Sequence, residues 1–299
     1  MSLTLGLIPG RLGLAAARIP HTDRHGLLWL EYGKLSVEDG TLRYIAAQSD
    51  TLDAGDYAIP YQSVSMILLG PGTSLTQDVL RLCARHGTLI AAVGEGGVKS
   101  YTAPPMGQGH SDIARRHAER WADPKERINM AHRLYAWRFG RVLAHYDIAT
   151  LRGIEGARMK ESYKLVAERF GIEWRGRRYD RGDPKAADLP NQAINHAATF
   201  VEAAADIAVA AVGALPPLGF IHEDSSNAFT LDIADLWRVD LTLPLAFSVV
   251  RAYHDGKTDN LERAVRRHAA AAFRQNKLIP KMIDRIKELF DVDDGDFNS

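Results

Sequence analysis

Three acidic residues and one histidine have types and spacings that suit divalent-metal chemistry. Glu155 lies between two glycines in the segment RGIEG, where we expect a helix to begin and the carboxylate to be exposed. His222 ends an apolar run in a predicted loop, and Asp232 and Asp235 are three residues apart on a predicted helix. Residues at i and i+3 share one face of a helix. We therefore expect both aspartates at the edge of that helix.

The donor atoms of these residues favour one class of metal. Carboxylate oxygens with a single imidazole nitrogen suit Mn²⁺ and Mg²⁺, whereas structural zinc needs more sulfur or imidazole. A divalent ion can activate an attacking hydroxyl and stabilise the leaving oxygen in phosphoryl transfer. Each residue alone also has an ordinary structural explanation. A histidine beside an apolar run is commonly a satisfied core residue, and a D-x-x-D pair often faces solvent or caps a helix.

The net charge of zero, which by itself argues against a polyanionic ligand, conceals an uneven distribution of charge. Residues 113–185 contain 18 Lys and Arg against 10 Asp and Glu, whereas residues 186–299 contain 11 against 17. Inside that acidic part, residues 263–287 contain eight Lys and Arg and one acidic residue. Two basic stretches thus flank the acidic cluster. They are suited to phosphate contacts, although solvated helix faces give the same pattern.

A second candidate for nucleic-acid contact is the triplet Arg177, Arg178 and Tyr179. Two cations beside an aromatic ring can bind a phosphate and stack on a base. An exposed turn explains the triplet equally well on local grounds.

The elements that must position these residues divide the chain into two parts. From Leu27 to Tyr101 short alternating segments predict strands, with a hairpin at Asp39-Gly40 and one helix from Thr76 to His86. Residues 102–111 are rich in Pro and Gly and predict a linker. We therefore predict a small β-rich N-terminal domain, residues 1–103.

Everything after the linker has a helical pattern. We expect Ser111 and Asp112 to cap one helix that runs to residue 140, with its arginines facing outward. We also expect a helix over residues 157–170 and a buried, alanine-rich helix over residues 192–214. The predicted fold class is α+β, with an all-α catalytic domain at residues 111–299.

The single cysteine, Cys83, excludes an intramolecular disulfide and fits a reduced cytoplasm. The first twenty residues lack the charged start of a signal peptide, and no apolar run is long enough to span a membrane. We expect a cytoplasmic protein with no membrane partner.

Four segments together carry a resemblance that covers roughly residues 25–250. They are EYGKLSVEDG, GPGTSLTQDVLRLCARHGTLIAAVGEGGVKSY, LRGIEGARMKESYKLVAERFGIEWRGRRYD and GFIHEDSSNAFTLDIADLWRVDLTLPLAF. In these segments and in this order, the sequence resembles the CRISPR adaptation integrase, particularly that of type I-E systems.

The resemblance implies a β-rich domain, a helical catalytic domain and a homodimer. It implies that Glu155, His222 and Asp235 bind Mg²⁺ or Mn²⁺ with Asp232 as a supporting acid, and that Tyr32 lies at the position of a wedge against DNA ends. It also implies a small ferredoxin-like Cas protein that bridges two dimers.

The activity implied by the resemblance is spacer acquisition in antiviral defence. A short duplex with 3′ overhangs is captured, and each 3′-OH attacks a phosphodiester at a CRISPR repeat. The segment Glu223-Asp224-Ser225 departs from the basic residue that type I-E relatives often have after the histidine. Two alternatives remain open: a metal-dependent nuclease that acts on branched DNA, and a non-catalytic DNA-binding scaffold.

Overall fold

The computed structural model describes residues 27–49, 52–102, 111–141, 147–178 and 187–291. Strands dominate the first part of this range and helices the rest. The predicted α+β class is therefore confirmed. Tyr179 lies outside the described residues, and so does most of the predicted linker, so the division at residues 103 and 111 stays a prediction.

Two sheets form the N-terminal part. β1, β5 and β7 form a parallel sheet with β5 in the centre, and the other four strands pair in the order β4-β3-β2-β6. The predicted hairpin joins β2 and β3, with positive φ angles of 49° at Asp39 and 73° at Gly40. Both angles suit the tight primed turn that a D-G pair favours. The strand bounds are β1 Leu27–Leu30, β2 Gly33–Glu38, β3 Thr41–Ala46, β4 Gly55–Ile59, β5 Met66–Leu69, β6 Thr73–Leu75 and β7 Leu89–Ala92.

Helix α1, Gln77–His86, ends at Gly87 with φ 68°, as its sequence predicts. The remaining helices are α2 Ser111–Ala122, α3 Pro124–Phe139, α4 Ile148–Arg169, α5 Leu189–Val212, α6 Ala228–Asp235, α7 Leu243–His254, α8 Leu261–Asn276 and α9 Leu278–Leu289. None of the helices in the described ranges is long and apolar enough to cross a membrane.

The single helix expected over residues 113–140 is wrong, because the chain forms two helices there. Asp123 ends the first and caps the second, since its carboxylate accepts hydrogen bonds from the backbone N–H groups of Lys125 and Glu126. Pro124 occupies the first position of α3, where its missing N–H costs nothing. Ser111 is also the first residue of α2 rather than a residue before it. The Asp-Pro pair was the signal for this break.

The predicted helix start at Glu155 is also wrong. Asp147 caps α4 through a 2.7 Å hydrogen bond from the Thr150 N–H, and the helix continues through Gly153 and Gly156. A Cβ added at either glycine would meet no atom within 4 Å, so neither glycine is required by packing. Glu155 therefore lies inside a 22-residue helix, where its direction is fixed by the backbone.

The main core surrounds α5, which contacts α6, α7, α8 and α9. Its many alanines let these helices approach closely, as the sequence predicts. The parallel sheet contributes to the same core through residues such as Met66, Leu68 and Ala91. Gly96, at φ 62°, touches α8 so closely that an added Cβ would lie 2.5 Å from that of Ala270. The β-rich part is thus packed tightly against the helical part.

Candidate active site

Asp232 organises the loop that carries His222. The Asp232 side chain is fully buried, and one of its oxygens accepts hydrogen bonds from the backbone N–H groups of Phe220, at 2.6 Å, and Ile221, at 3.1 Å. The other oxygen accepts from the His222 backbone N–H at 3.0 Å. Three backbone donors therefore converge on a single carboxylate, which fixes residues 220–222 against α6.

The same aspartate orients the histidine ring. His222 Nδ1 lies 2.7 Å from Asp232 Oδ1, a distance at which Nδ1–H donates to the carboxylate. Burial works against the charged ring, but the hydrogen bond and the charges of Asp232 and Asp235 outweigh it and raise the pKa of His222. His222 Nε2 is turned toward Asp235, with its nitrogen 3.8 Å from Asp235 Oδ2. In the neutral ring this nitrogen carries the free lone pair.

Arg138 joins the two remaining carboxylates. Its side chain is only 5% exposed, and its two terminal nitrogens lie 2.5 Å from Glu155 Oε1 and 3.0 Å from Asp235 Oδ2. The expectation that the arginines of this helix face outward is wrong for Arg138. The predicted exposure of Glu155 is wrong as well, because its side chain is 17% exposed. One buried guanidinium thus brings together acids from α4 and α6.

The other oxygens of both acids also have donors. Arg238 contacts Asp235 Oδ1 through two nitrogens, at 2.7 and 2.5 Å, and the Tyr135 hydroxyl donates to Glu155 Oε2 at 3.0 Å. Burial opposes ionisation of Asp235, but Arg238, Arg138 and His222 hold its pKa below the usual value. Burial, with the adjacent Glu155 charge, raises the pKa of Tyr135. The pocket is therefore a balanced network of ionised acids and cations.

Two side chains of α2 hold the site loop from the opposite side. His117 is fully buried; its Nδ1 accepts the backbone N–H of Leu215, so its Nε2–H donates to the carbonyl of Leu218 at 2.6 Å. Trp121 donates to the carbonyl of Gly219 at 3.0 Å. The approach at Gly219 leaves no room for a side chain. The loop is thus clamped between α2 and Asp232.

Sequence reasoning missed Arg138, Arg238, Tyr135 and His117. A usable signal existed for Arg138, which is a lone cation within the apolar segment LYAWRFG. Arg238 follows Asp235 by three residues, just after the end of α6, and this close spacing was a weaker signal. No comparable signal marked His117, because its role depends on a loop about one hundred residues later in the chain.

The predicted metal ligands are brought together, but a cation of the protein itself lies between two of them. Within the described ranges, no group of three or more His, Cys, Asp or Glu residues is arranged to hold a metal ion. Glu155, His222 and Asp235 nevertheless supply two carboxylates and one free imidazole nitrogen around Arg138. Their assignment as ligands stays a prediction.

A cleft of about 290 Å³ gives access to the network. Arg138, Phe139 and Asp235 line its inner end. At the His222 side of the network, Glu223 pairs with Arg127 at 2.8 Å and with Arg152 at 3.7 Å. Where type I-E relatives often have a basic residue, this chain therefore has Glu223, which forms ion pairs with two arginines beside the site.

Three of the predicted DNA contacts, Tyr32, Arg177 and Arg178, lie within the described residues. Tyr32 is 49% exposed in the β1–β2 connection and has a positive φ of 61°. Arg177 is held by the side chains of Asn191, at 3.0 Å, and Asn195, at 2.6 Å, on the first turns of α5. Arg178 is exposed beside it. Their contact with DNA stays a prediction.

Comparison with known proteins places the chain in a family. A family model described as CRISPR associated protein Cas1 matches residues 27–143 and 138–264. The CRISPR-associated endonuclease Cas1 of Escherichia coli K12 is 35% identical over 272 residues, which is 91% of this chain and 86% of that protein. CRISPR-associated endonuclease Cas1 1 of Rhodospirillum rubrum is 33% identical over 270 residues, 89% of this chain and 85% of that protein.

Solved structures agree with this assignment. A crystal structure of a TtCas1–DNA complex aligns with a TM-score of 0.79 and 32% identity, covering 90% of this chain and 97% of that one. A casposase bound to an integration product has the same fold, with a TM-score of 0.64 at 15% identity over 90% of this chain and 96% of that one. The family model, the sequence identity to curated relatives and the structural alignment all give the same result: the chain belongs to the Cas1 family of CRISPR-associated endonucleases.

Proposed function

We propose that this chain is a metal-dependent DNA integrase that inserts short duplexes into a CRISPR array. In the proposed reaction the 3′-OH of the duplex attacks a phosphodiester of the repeat, and one P–O bond forms as another breaks. The observation that carries the proposal is the convergence of Glu155, His222 and Asp235, from two helices and a loop, in one network of contacts. The relatives named as Cas1 endonucleases and the Cas1–DNA complex support phosphodiester chemistry on DNA.

The residues fit a divalent metal by donor type. Glu155 and Asp235 offer carboxylate oxygens, and His222 offers Nε2 because its Nδ1–H is engaged by Asp232. A carboxylate that orients a ligating histidine is a usual support in metal sites. These three residues would hold Mg²⁺ or Mn²⁺, which supplies Lewis acidity at a phosphate oxygen. Asp232 would then act through His222, by fixing the tautomer and the direction of the ring.

The surface supplies basic side chains for the DNA backbone. On α8, Arg263, Arg267 and Arg274 are exposed, whereas the core-facing side of the same helix is apolar. Three arginines of α2 and α3 have a different role, since Arg116, Arg120 and Arg133 all contact Asp291 at the end of α9. The proposed phosphate contacts are therefore on α8, with Arg177 and Arg178 as further contacts and Tyr32 at the duplex end.

We also propose assembly as a homodimer, bridged by a small ferredoxin-like Cas protein. The family resemblance supports this assembly. Mass measurement by light scattering, with and without the small protein, tests it.

A strand-transfer assay tests the reaction. The reactants are the purified chain, with and without the small partner, Mg²⁺ or Mn²⁺, a labelled duplex with free 3′-OH ends and a supercoiled plasmid that carries a repeat. We expect metal-dependent transfer of label to the plasmid, reduced at least about 100-fold in Asp235→Asn. Asparagine is preferred to alanine because it keeps the side-chain size and one acceptor oxygen beside Arg138 and Arg238.

The matched control is Asp259→Asn, an exposed acid that does not line the cleft. Its activity should equal that of the unaltered chain. Unchanged transfer in a folded Asp235→Asn protein would contradict the assignment. Shortened strands without joined product would indicate the branched-DNA nuclease, and DNA binding without either product would indicate the scaffold.

A further inference from the structure

Arg138 occupies a position that packing alone does not explain. A charged side chain that is 5% exposed is costly to bury, and here it lies among the aromatic and apolar residues of α3. Its two terminal nitrogens each contact one carboxylate, while its Nε is buried and has no hydrogen-bond partner. The guanidinium is therefore held by Glu155 and Asp235, with one donor left unused inside the pocket.

The four oxygens of Glu155 and Asp235 are all engaged by the protein. Arg138 contacts one oxygen of each acid. The Tyr135 hydroxyl donates to the second oxygen of Glu155, and Arg238 donates to the second oxygen of Asp235. An ion bound between the acids needs lone pairs that Arg138 now uses. Arginine keeps its positive charge at every accessible pH, so it cannot yield the position by losing a proton.

We propose that Arg138 is the resident counter-cation of the site, and that its guanidinium leaves Glu155 and Asp235 when a divalent cation binds. This inference rests on the proposed metal-dependent function. Arg138 borders the 290 Å³ cleft together with Asp235, so the released guanidinium has space beside the acids. In that cleft it would be free to bind a phosphate of the DNA, for which a planar guanidinium is a good ligand. Arg138 would thus stabilise the metal-free protein and bind the DNA substrate in the metal-bound protein.

Metal affinity provides the test. Mn²⁺ binding is measured by calorimetry on the metal-stripped full chain, on Arg138→Gln and on the matched control Arg141→Gln, whose arginine is exposed three residues later on the chain. We expect Arg138→Gln to bind Mn²⁺ at least about tenfold more tightly than the unaltered chain, because a competing charge a few ångströms away is gone. Arg141→Gln should bind as the unaltered chain does.

Thermal unfolding gives a readout that requires no metal. In EDTA, Arg138→Gln should unfold at a lower temperature than Arg141→Gln, because two buried acids lose their shared cation. Saturating Mn²⁺ should raise its unfolding temperature by more than it raises that of the unaltered chain. The double variant Glu155→Gln, Asp235→Asn should lose Mn²⁺ binding, which assigns the binding to this site.

A measurement on the unaltered chain covers the case in which Arg138→Gln does not fold. The Nε–H signal of Arg138, assigned in ¹⁵N-arginine protein with Arg138→Lys, should shift on addition of diamagnetic Mg²⁺. An unchanged signal at saturating Mg²⁺ would overturn the inference. Equal Mn²⁺ affinity in the unaltered chain and Arg138→Gln would overturn it while leaving the metal-dependent function intact. Binding to neither protein would overturn both.

Discussion

Replacement of Asp232 by asparagine isolates what a single carboxylate does for the site loop. Asp232 accepts two backbone hydrogen bonds on one oxygen, from Phe220 and Ile221, and two from His222 on the other. An amide has one acceptor oxygen, and its NH₂ group can only donate. In one orientation of the amide, the backbone N–H groups of Phe220 and Ile221 lose their acceptor. In the other, the His222 backbone N–H loses its acceptor, while Nδ1 in the alternative tautomer accepts from the NH₂ group.

The expected cost follows from that count. A hydrogen bond to a charged acceptor contributes about 1.5–3 kcal/mol, so the loss of one or two bonds corresponds to about 1.5–6 kcal/mol of unfolding free energy. The Asp232 side chain is fully buried, so water is poorly placed to replace the missing acceptor. The pKa of His222 should also fall, because the Asp232 hydrogen bond and charge raise it in the unaltered chain.

Urea unfolding, followed by the fluorescence of the five tryptophans, measures the first effect. Titration of the His222 ring by NMR measures the expected fall in the pKa of His222. Asp240→Asn is the control, since this exposed acid lies on the same stretch of chain. A loss below about 1 kcal/mol, with the pKa of His222 unchanged, would refute the role given to Asp232.

Two further predictions concern pH and salt. Burial lowers the pKa of His117 to about 4, below the ordinary histidine value of 6.5, so the unfolded chain binds more protons between these two pH values. The contribution of His117 to the free energy of unfolding is complete above pH 6.5 and is lost as pH falls toward 4. His117→Gln should therefore flatten the plot of unfolding free energy against pH in this range. An equally steep plot for the variant would contradict the role given to His117. The double variant Arg263→Gln, Arg267→Gln tests DNA binding by α8. The slope of log affinity against log salt concentration, measured by fluorescence anisotropy, should fall in magnitude by about 0.9 per lost phosphate contact. An unchanged slope would exclude α8 from the DNA interface.

Local signals in the sequence predicted most elements, and their failures have identifiable causes. The Asp39-Gly40 hairpin, the end of α1 at Gly87 and the buried α5 depend on nearby residues and were confirmed. The break at Asp123-Pro124 was overlooked although its signal is equally local. At Glu155 the two glycines favoured a helix start, but the Asp147 cap and packing of the long helix against its neighbours outweighed their low helix propensity.

The sequence by itself indicated which residues can do chemistry here, because side-chain type fixes the available donors, and four segments in order carried the family resemblance. Glu155, His222 and Asp235 were predicted in this way, and the structure brings their side chains together. The tertiary structure decided how these residues are charged and held. Arg138 and His117 act through partners that folding brings from distant parts of the chain, and no local pattern encodes such a pairing. Burial then makes each pairing strong, because an unpaired charge or polar group in the interior is costly.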